Sequence, residues 1–275
     1  MAETPTPGFP ELEQGSLPRT IEKSVRPKKS PIHFVIGVDE AGRGPLAGPV
    51  VAAAFTFAKA NSPTPSELSK GVTDSKQVSE PAREFMYMNN IRNNNKVKYT
   101  VSVIDNKIID EINILQATFR AMSESALNLM DQIRRSHPDA TFSILIDGNK
   151  VPPQLAHLDC QAVIKGDSLE FLIAAASICA KVERDELMRQ IDSEFPMYGF
   201  RQHKGYPTAS HVAAISKHGP CKYHRMTFAP LKHMGARKCK PKRTTENEVP
   251  VETASVPCAR EGRLKRRNLM KEKDI

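Results

Sequence analysis

The stretch Phe34-Val35-Ile36-Gly37-Val38-Asp39-Glu40-Ala41-Gly42-Arg43-Gly44-Pro45-Leu46-Ala47-Gly48-Pro49-Val50-Val51-Ala52-Ala53-Ala54-Phe55 decides the reading of this chain. Residues 33–38 form an apolar run that stops at two adjacent acids, Asp39 and Glu40. Residues 49–58 form a second apolar run after a loop rich in Gly and Pro. Short apolar runs bounded by such residues read as buried strands. Two adjacent acids directly after a buried strand gain nothing structurally, because like charges repel. The stretch therefore predicts a sheet with chemistry at the end of one strand.

Working outward, Ser79-Glu80-Pro81 opens a helix through about residue 92, with a Ser cap and an acid and Pro in its first turn. Lys96–Ile104 alternates as a strand should. Residues 106–135 are helical with a break near Asn113, and Leu115, Phe119, Met122, Ala126, Leu129 and Ile133 step by three and four. Phe142–Ile146 is a short strand ending at Asp147-Gly148, and Gln161–Ile164 is another, ending at Lys165-Gly166-Asp167. Helices follow over about 168–194 and 208–218. Strands first and helices interleaved later predict an α/β or α+β layer fold with a mixed sheet.

The chain of 275 residues carries a formal charge of +9, with 39% hydrophobic residues and 21 prolines against 14 glycines. That suits one sizeable domain plus tails, or two small domains. Residues 1–33 are Pro-rich, 34–230 hold nearly all the periodic apolar pattern, and 231–275 hold almost none. The last segment is net +7, while the other two are +1 each. The basicity thus belongs mostly to a C-terminal tail expected to be disordered, as is the N-terminal one. For that tail a solvated segment and a nucleic-acid-binding or nuclear-import arm are both open. No apolar run reaches the ~18 residues of a transmembrane helix. The N-terminus has neither the charged nor the apolar region of a secretory signal. Cysteines 160, 179, 221, 239 and 258 form no CxxC pair, which argues against a zinc finger or disulfide framework and for a reducing compartment. The expected location is intracellular, cytoplasmic or nuclear, with an organelle left open.

Three strands finish on or near carboxylates: Asp39-Glu40, Asp147 and Asp167. Strand ends are where α/β proteins hold ligands. Clustered carboxylates need a cation between them, and hard oxygen ligands suit Mg²⁺ or Mn²⁺. Two such ions about 3.5–4 Å apart serve in-line phosphodiester cleavage. Alone, Asp147 before Gly148 reads as a turn former and Asp167 as a helix cap; taken jointly, the acids favour a metal site.

Residues 37–52 strongly resemble the opening motif of ribonuclease HII, the type 2 ribonuclease H family. Further matches follow in the family's order: Asp74-Ser75-Lys76; Asp147-Gly148; Lys165-Gly166-Asp167; the run from Ile173 to Asp185; His203-Lys204-Gly205-Tyr206-Pro207-Thr208; and His224-Arg225-Met226-Thr227-Phe228. They span residues 36–230 and look like the bacterial-type, single-chain branch. Met226-Thr227 and Pro207 depart mildly from the usual pattern.

The resemblance implies a ribonuclease H-like fold, a mixed five-stranded sheet flanked by helices with a helical C-terminal part. It implies an endonuclease cutting the RNA strand of RNA/DNA hybrids, and cutting 5′ of a single ribonucleotide in duplex DNA, in ribonucleotide and RNA primer removal. The family's four acids map onto Asp39, Glu40, Asp147 and Asp167, as catalytic residues and ligands of Mg²⁺ or Mn²⁺. Gly42, Arg43 and Gly44 would meet sugar and phosphate, since two glycines allow close backbone approach and Arg43 can grip a phosphate. Tyr206 would stack on the adjacent deoxyribose and reach the 2′-oxygen that distinguishes RNA from DNA. Lys76 and Lys181 would contact phosphate or the acids. Arg225 would bind substrate backbone together with His224, although a packed His is an equal reading, and the 208–218 helix could share that surface. Small residues in Ile173–Ala180 read as close helix–sheet packing. The expected partners are RNA/DNA hybrid and ribonucleotide-containing duplex, with no membrane and a monomeric state. The competing readings are a non-catalytic hybrid-binding protein and a different two-metal nuclease on the same fold.

Overall fold

The computed structural model describes residues 32–59 and 79–233. Residues 1–31 and 234–275 of the tails and the Asp74-Ser75-Lys76 motif lie outside the described residues, so the expectations placed on them, including a phosphate contact for Lys76, are not addressed by the structure.

The first two strands are β1 (His33–Ala41) and β2 (Val50–Phe57), paired antiparallel. β1 continues through the two acids to Ala41 rather than stopping before them. The pairing of Asp39, Glu40 and Ala41 with Ala53, Ala52 and Val51 keeps that end extended. Helix α1 (Glu80–Met86) runs on as one π-helical segment through Arg92, and Ser79 sits at its N-cap without a side-chain cap bond. Strand β3 (Val97–Ile104) pairs antiparallel with β2. Helix α2 (Asn106–Arg134) contains Asn113 at φ 68°, the expected break. Two capping side chains explain it: Asp105 Oδ1 accepts from the Ile108 N–H at 2.9 Å, and Asn113 Oδ1 accepts from Leu115 at 3.0 Å and Gln116 at 3.2 Å. Each half of α2 thus has its own cap, which satisfies N–H groups that a helix start leaves without partners.

Strand β4 (Thr141–Asp147) returns parallel to β1, and β5 (Cys160–Val163) lies parallel to β4. The described sheet has five strands in the order β3-β2-β1-β4-β5. The helix expected over 168–194 is divided. A single turn, α3 (Gly166–Leu169), ends at Glu170, whose extended backbone starts α4 (Phe171–Glu194). Asp167 therefore lies inside α3 and does not cap the long helix.

The period of two along a strand sorts side chains between two layers. Phe34, Ile36 and Val38 of β1 and Val50, Ala52 and Ala54 of β2 pack with α2. Val51, Ala53 and Phe55 of β2 pack with the small residues of α4, Ala174 to Ala180. A Cβ on Gly37 would lie 2.2 Å from the Leu172 carbonyl carbon and 2.5 Å from the Ile173 nitrogen. Glycine there is what lets α4 press its backbone onto β1. A third cluster joins Leu46 and Ala47 to Met188, Tyr198, Phe200 and Ile215. It seats the C-terminal part, with its short helix α5 (Phe200–His203) and α6 (Ala209–His218). Leu231, one residue past the expected core boundary, is also buried in it.

Candidate active site

Strand register builds the site. The parallel pairing of β1 and β4 sets Val38 opposite Ile146, so Asp39 and Asp147 follow side by side on the α4 face. Carboxylate oxygens of Asp39, Glu40 and Asp147 come within 4.8 Å of one another. Asp39 is buried at 4% exposure. Burial, and then the charges of Glu40 and Asp147, push its carboxyl well above the usual carboxylate range. Two hydrogen bonds oppose this, one from the Ser177 hydroxyl of α4 and one from the Glu40 N–H at 2.7 Å. Glu40 is raised too, mainly by burial, while Arg43 pulls it down across a 3.4 Å ion pair. Three carboxylates this close, Asp39 buried and the other two half-buried, are stable together only if protonated or neutralised by a cation. A donor set made only of carboxylate oxygens fits a hard divalent ion.

Asp147 Oδ1 also accepts the Gly166 N–H at 2.7 Å and a weak 3.4 Å contact from the Asp167 N–H. A Cβ on Gly166 would be 2.5 Å from Ile173 Cδ1, so glycine lets α3 close onto the sheet end. Asp167 is buried beside the cluster, but its carboxylate is not one of the three that converge. The structure thus brings together three of the four acids singled out in the sequence and places the fourth, Asp167, beside them.

The loop after β1 divides the Gly42-Arg43-Gly44 motif. Gly42 is buried at φ +97°, and a Cβ there would lie 2.0 Å from Arg184 Nε and 2.8 Å from the Pro49 carbonyl oxygen. Its missing side chain makes room for an internal arginine, which corrects the reading of both glycines as openings toward a sugar. Arg43 and Gly44 are exposed. A Cβ on Gly44 would sit 3.6 Å from Tyr206 Cε1, so the loop and the tyrosine ring are neighbours.

Tyr206 is 42% exposed, and its backbone is held on three sides. Its N–H donates to the His203 carbonyl at 2.9 Å, while its carbonyl accepts from the Thr208 N–H at 2.8 Å and from His211 Nδ1 at 2.9 Å. The Cys221 N–H donates to His224 Nδ1 at 2.9 Å, so the proton of His224 sits on Nε2 and points at His211 Nε2, 3.1 Å away. One set of tautomers satisfies every bond, with both rings neutral. Burial keeps them so, pulling His211 down to about 4 and His224 to about 3. His224 is therefore the packed histidine of the two readings, and His211 faces inward from α6 rather than toward a ligand surface.

Arg225 is corrected from a substrate contact. It is fully buried, and its guanidinium donates to the carbonyls of Gly48 (3.0 Å), Arg43 (3.0 Å) and Gly42 (2.6 Å). Lys181 is spent on Asp185 Oδ2 at 2.7 Å, an acid that also pairs with Arg83 at 3.6 Å. The Lys181 contact lies within α4, and the Arg83–Asp185 pair ties α4 to α1. Ser177 and Arg184 were not singled out by sequence reading. The only trace of Ser177 is one hydroxyl within an alanine-rich helix run.

The ribonuclease HII family model matches residues 36–231, which contain every residue of this site. The chain belongs to the ribonuclease HII family. A ribonuclease HII of Endomicrobium trichonymphae is 46% identical over 197 residues, covering 72% of this chain and 86% of the relative. That of Geobacter metallireducens is 46% identical over 226 residues, covering 82% and 96%. The crystal structure of ribonuclease H2 from Pyrococcus horikoshii OT3 superposes with a TM-score of 0.56 at 26% identity, over 73% of this chain and 96% of that one. As a ribonuclease HII family member the chain is a metal-dependent endoribonuclease with ribonuclease H activity, and its sheet and flanking helices are those of the ribonuclease H-like fold.

Proposed function

We propose that this enzyme hydrolyses the RNA strand of RNA/DNA hybrids and cuts duplex DNA 5′ of an embedded ribonucleotide, leaving 3′-hydroxyl and 5′-phosphate ends. Its cellular role is then removal of ribonucleotides and RNA primers from DNA. The observation that carries the reading is the set of carboxylates at the end of β1 and β4, Asp39, Glu40 and Asp147, beside an exposed loop that touches Tyr206.

Asp39, Glu40 and Asp147 would hold divalent metal, Mg²⁺ or Mn²⁺, with Asp167 at the margin; the metal supplies activation of water and stabilisation of the leaving oxygen. The chain's own residues do the rest. Ser177 and the Glu40 N–H fix the Asp39 carboxylate in one orientation, so it is presented rather than searched for. Arg43 reaches past Glu40 to a phosphate, and its attraction for Glu40 opposes the upward pull that burial exerts on that acid. Gly44 leaves a sugar free to approach the Tyr206 ring, where the 2′-hydroxyl identifies a ribonucleotide. The basic tail adds phosphate contacts beyond the core.

The deciding experiment incubates the full chain with Mg²⁺ and a DNA duplex carrying one ribonucleotide. Cleavage should fall on the 5′ side of the ribonucleotide and be absent with all-DNA duplex and with Asp39→Asn. Equal cutting of all-DNA duplex would favour a nuclease of different specificity. Wild type no better than Asp39→Asn would leave a hybrid-binding protein.

A further inference from the structure

Arg184 and Arg225 are among the largest fully buried side chains, and among the described residues neither forms an ion pair with a carboxylate. Burying a guanidinium without a counter-ion is unfavourable unless its donors are used. Here the donors that find partners are used on one object, and Arg184 Nη1 is buried without a partner among the described residues. Arg225 binds the carbonyls of Gly42, Arg43 and Gly48, and Arg184 binds those of Pro49 at 3.0 Å and Ala47 at 3.3 Å. Five carbonyls of one loop are drawn inward by two side chains from distant parts of the sequence. The clamp is reinforced from outside, since the Arg225 N–H donates to the Leu46 carbonyl and the Gly48 N–H to the Tyr223 carbonyl.

A trans peptide carries its C=O and the next residue's N–H on opposite sides of one plane. When the Gly42 carbonyl points in, the Arg43 N–H points out; when the Arg43 carbonyl points in, the Gly44 N–H points out. Arg43 and Gly44 are the exposed residues of this loop, and neither N–H has a hydrogen-bond partner among the described residues. Two outward N–H groups in succession make a concavity suited to an anionic or hydroxyl oxygen. It opens beside the Tyr206 ring.

We infer that Arg184 and Arg225 are specificity-determining positioning residues: they aim the Arg43 and Gly44 N–H groups at the phosphate and 2′-hydroxyl of the substrate while touching neither. This rests on the proposed use of the loop in substrate binding. Both guanidinia remain cationic at neutral pH, so the loop also carries two buried positive charges behind it. Gly42 is part of the device, because any side chain there would collide with Arg184.

The test has two arms. In the first, Arg225→Lys retains the charge but one ammonium cannot span three carbonyls. Its KM for the ribonucleotide-containing duplex should rise at least tenfold, with kcat changed less than threefold and Mn²⁺ titration of the acid cluster unchanged. A KM equal to wild type, with activity falling only in step with the folded fraction, would overturn the inference. In the second, which needs no variant at these positions, amide hydrogen exchange is followed by NMR on Asp39→Asn with and without the uncleaved duplex. The Arg43 and Gly44 amides should exchange freely alone and be protected at least tenfold when bound; no added protection overturns the inference even if Arg225→Lys fails to fold. If wild type cuts the duplex and these results fail, only the positioning role is lost. If wild type does not cut it, the proposed function is lost as well.

Discussion

Gly42 and Gly44 flank the same arginine, yet their replacement by alanine should break different things. At Gly42 two costs add. A left-handed backbone costs an L-residue roughly 1–2 kcal/mol, and φ here is +97°. The new Cβ would lie 2.0 Å from Arg184 Nε and 2.8 Å from the Pro49 carbonyl oxygen, so Arg184 must leave its acceptors or the loop must move. Overpacking of this kind costs about 1–3 kcal/mol. The sum, roughly 2–5 kcal/mol, lowers Tm by roughly 5–20 °C at ~2–4 °C per kcal/mol for a domain of this size. At Gly44 the backbone is not left-handed, and the Cβ meets only Tyr206 Cε1, at an ordinary 3.6 Å. Stability should then change by no more than about 0.5 kcal/mol. The methyl instead fills the space where a sugar would approach Tyr206, raising KM about tenfold with a smaller effect on kcat. Thermal unfolding and steady-state cleavage of a single-ribonucleotide duplex measure both. A Gly42→Ala protein melting within about 2 °C of wild type, or Gly44→Ala unfolding as early as Gly42→Ala, would refute the division of the motif into an inner and an outer glycine.

Three other expectations follow from the same geometry. Asp39→Asn should abolish cleavage yet make the metal-free protein more stable: a carboxyl with raised proton affinity stabilises the fold at low pH and loses that contribution as pH rises, so the variant's advantage should be small near pH ~4 and grow toward neutrality. Excess Mg²⁺, worth about 2.7 kcal/mol at a hundred times Kd, should raise the melting temperature of wild type more than that of the variant, and identical metal-free melting at pH ~8 would contradict the reading. His211 and His224, held neutral in the fold at about 4 and about 3, take up protons on unfolding once pH falls below about 6.5; stability should therefore fall between about pH 6.5 and 5, and a wild-type profile as flat there as that of a His211→Gln, His224→Gln protein would argue against neutral rings. Lys181→Met should lower stability by loosening Asp185 while leaving KM unchanged, and a raised KM at unchanged Tm would return Lys181 to the substrate surface.

Legibility in the sequence followed the range of the interactions. The strands and the acids at their ends were legible because alternation and Gly/Pro boundaries are local signals, and because a period of two carries a buried strand's face onto its last residue. The exact end of β1 was not, since pairing with β2 carries the extended backbone through Asp39 and Glu40 to Ala41. The break at Asn113 was anticipated, and its cause is equally local, an Asn side chain that caps the helix restarting after it. Ser177 was hidden because its alanine neighbours explain the helix by packing alone. Arg225 was misread for a different reason. An arginine in a basic protein reads as a surface cation, and only the fold reveals that three carbonyls some 180 positions away in the chain converge on it.

The overall charge acquires a sharper meaning from these placements. The core is only slightly basic, yet it gathers two groups of opposite sign around one short segment: the acids Asp39, Glu40 and Asp147 at the strand ends, and the cations Arg184 and Arg225 beneath the loop that follows β1. Opposite charges in such company ordinarily neutralise each other, which is the cheaper arrangement for a buried pair. Among the described residues no ion pair joins the two sets. The arginines satisfy carbonyls, and the acids satisfy N–H groups, a hydroxyl and the exposed Arg43. Keeping the sets apart leaves the acids able to take a cation and the loop's N–H groups able to take an anion. A nuclease that must hold metal and phosphate a few ångströms apart needs both halves of that separation. An internal Glu40–Arg225 pair would leave it without either.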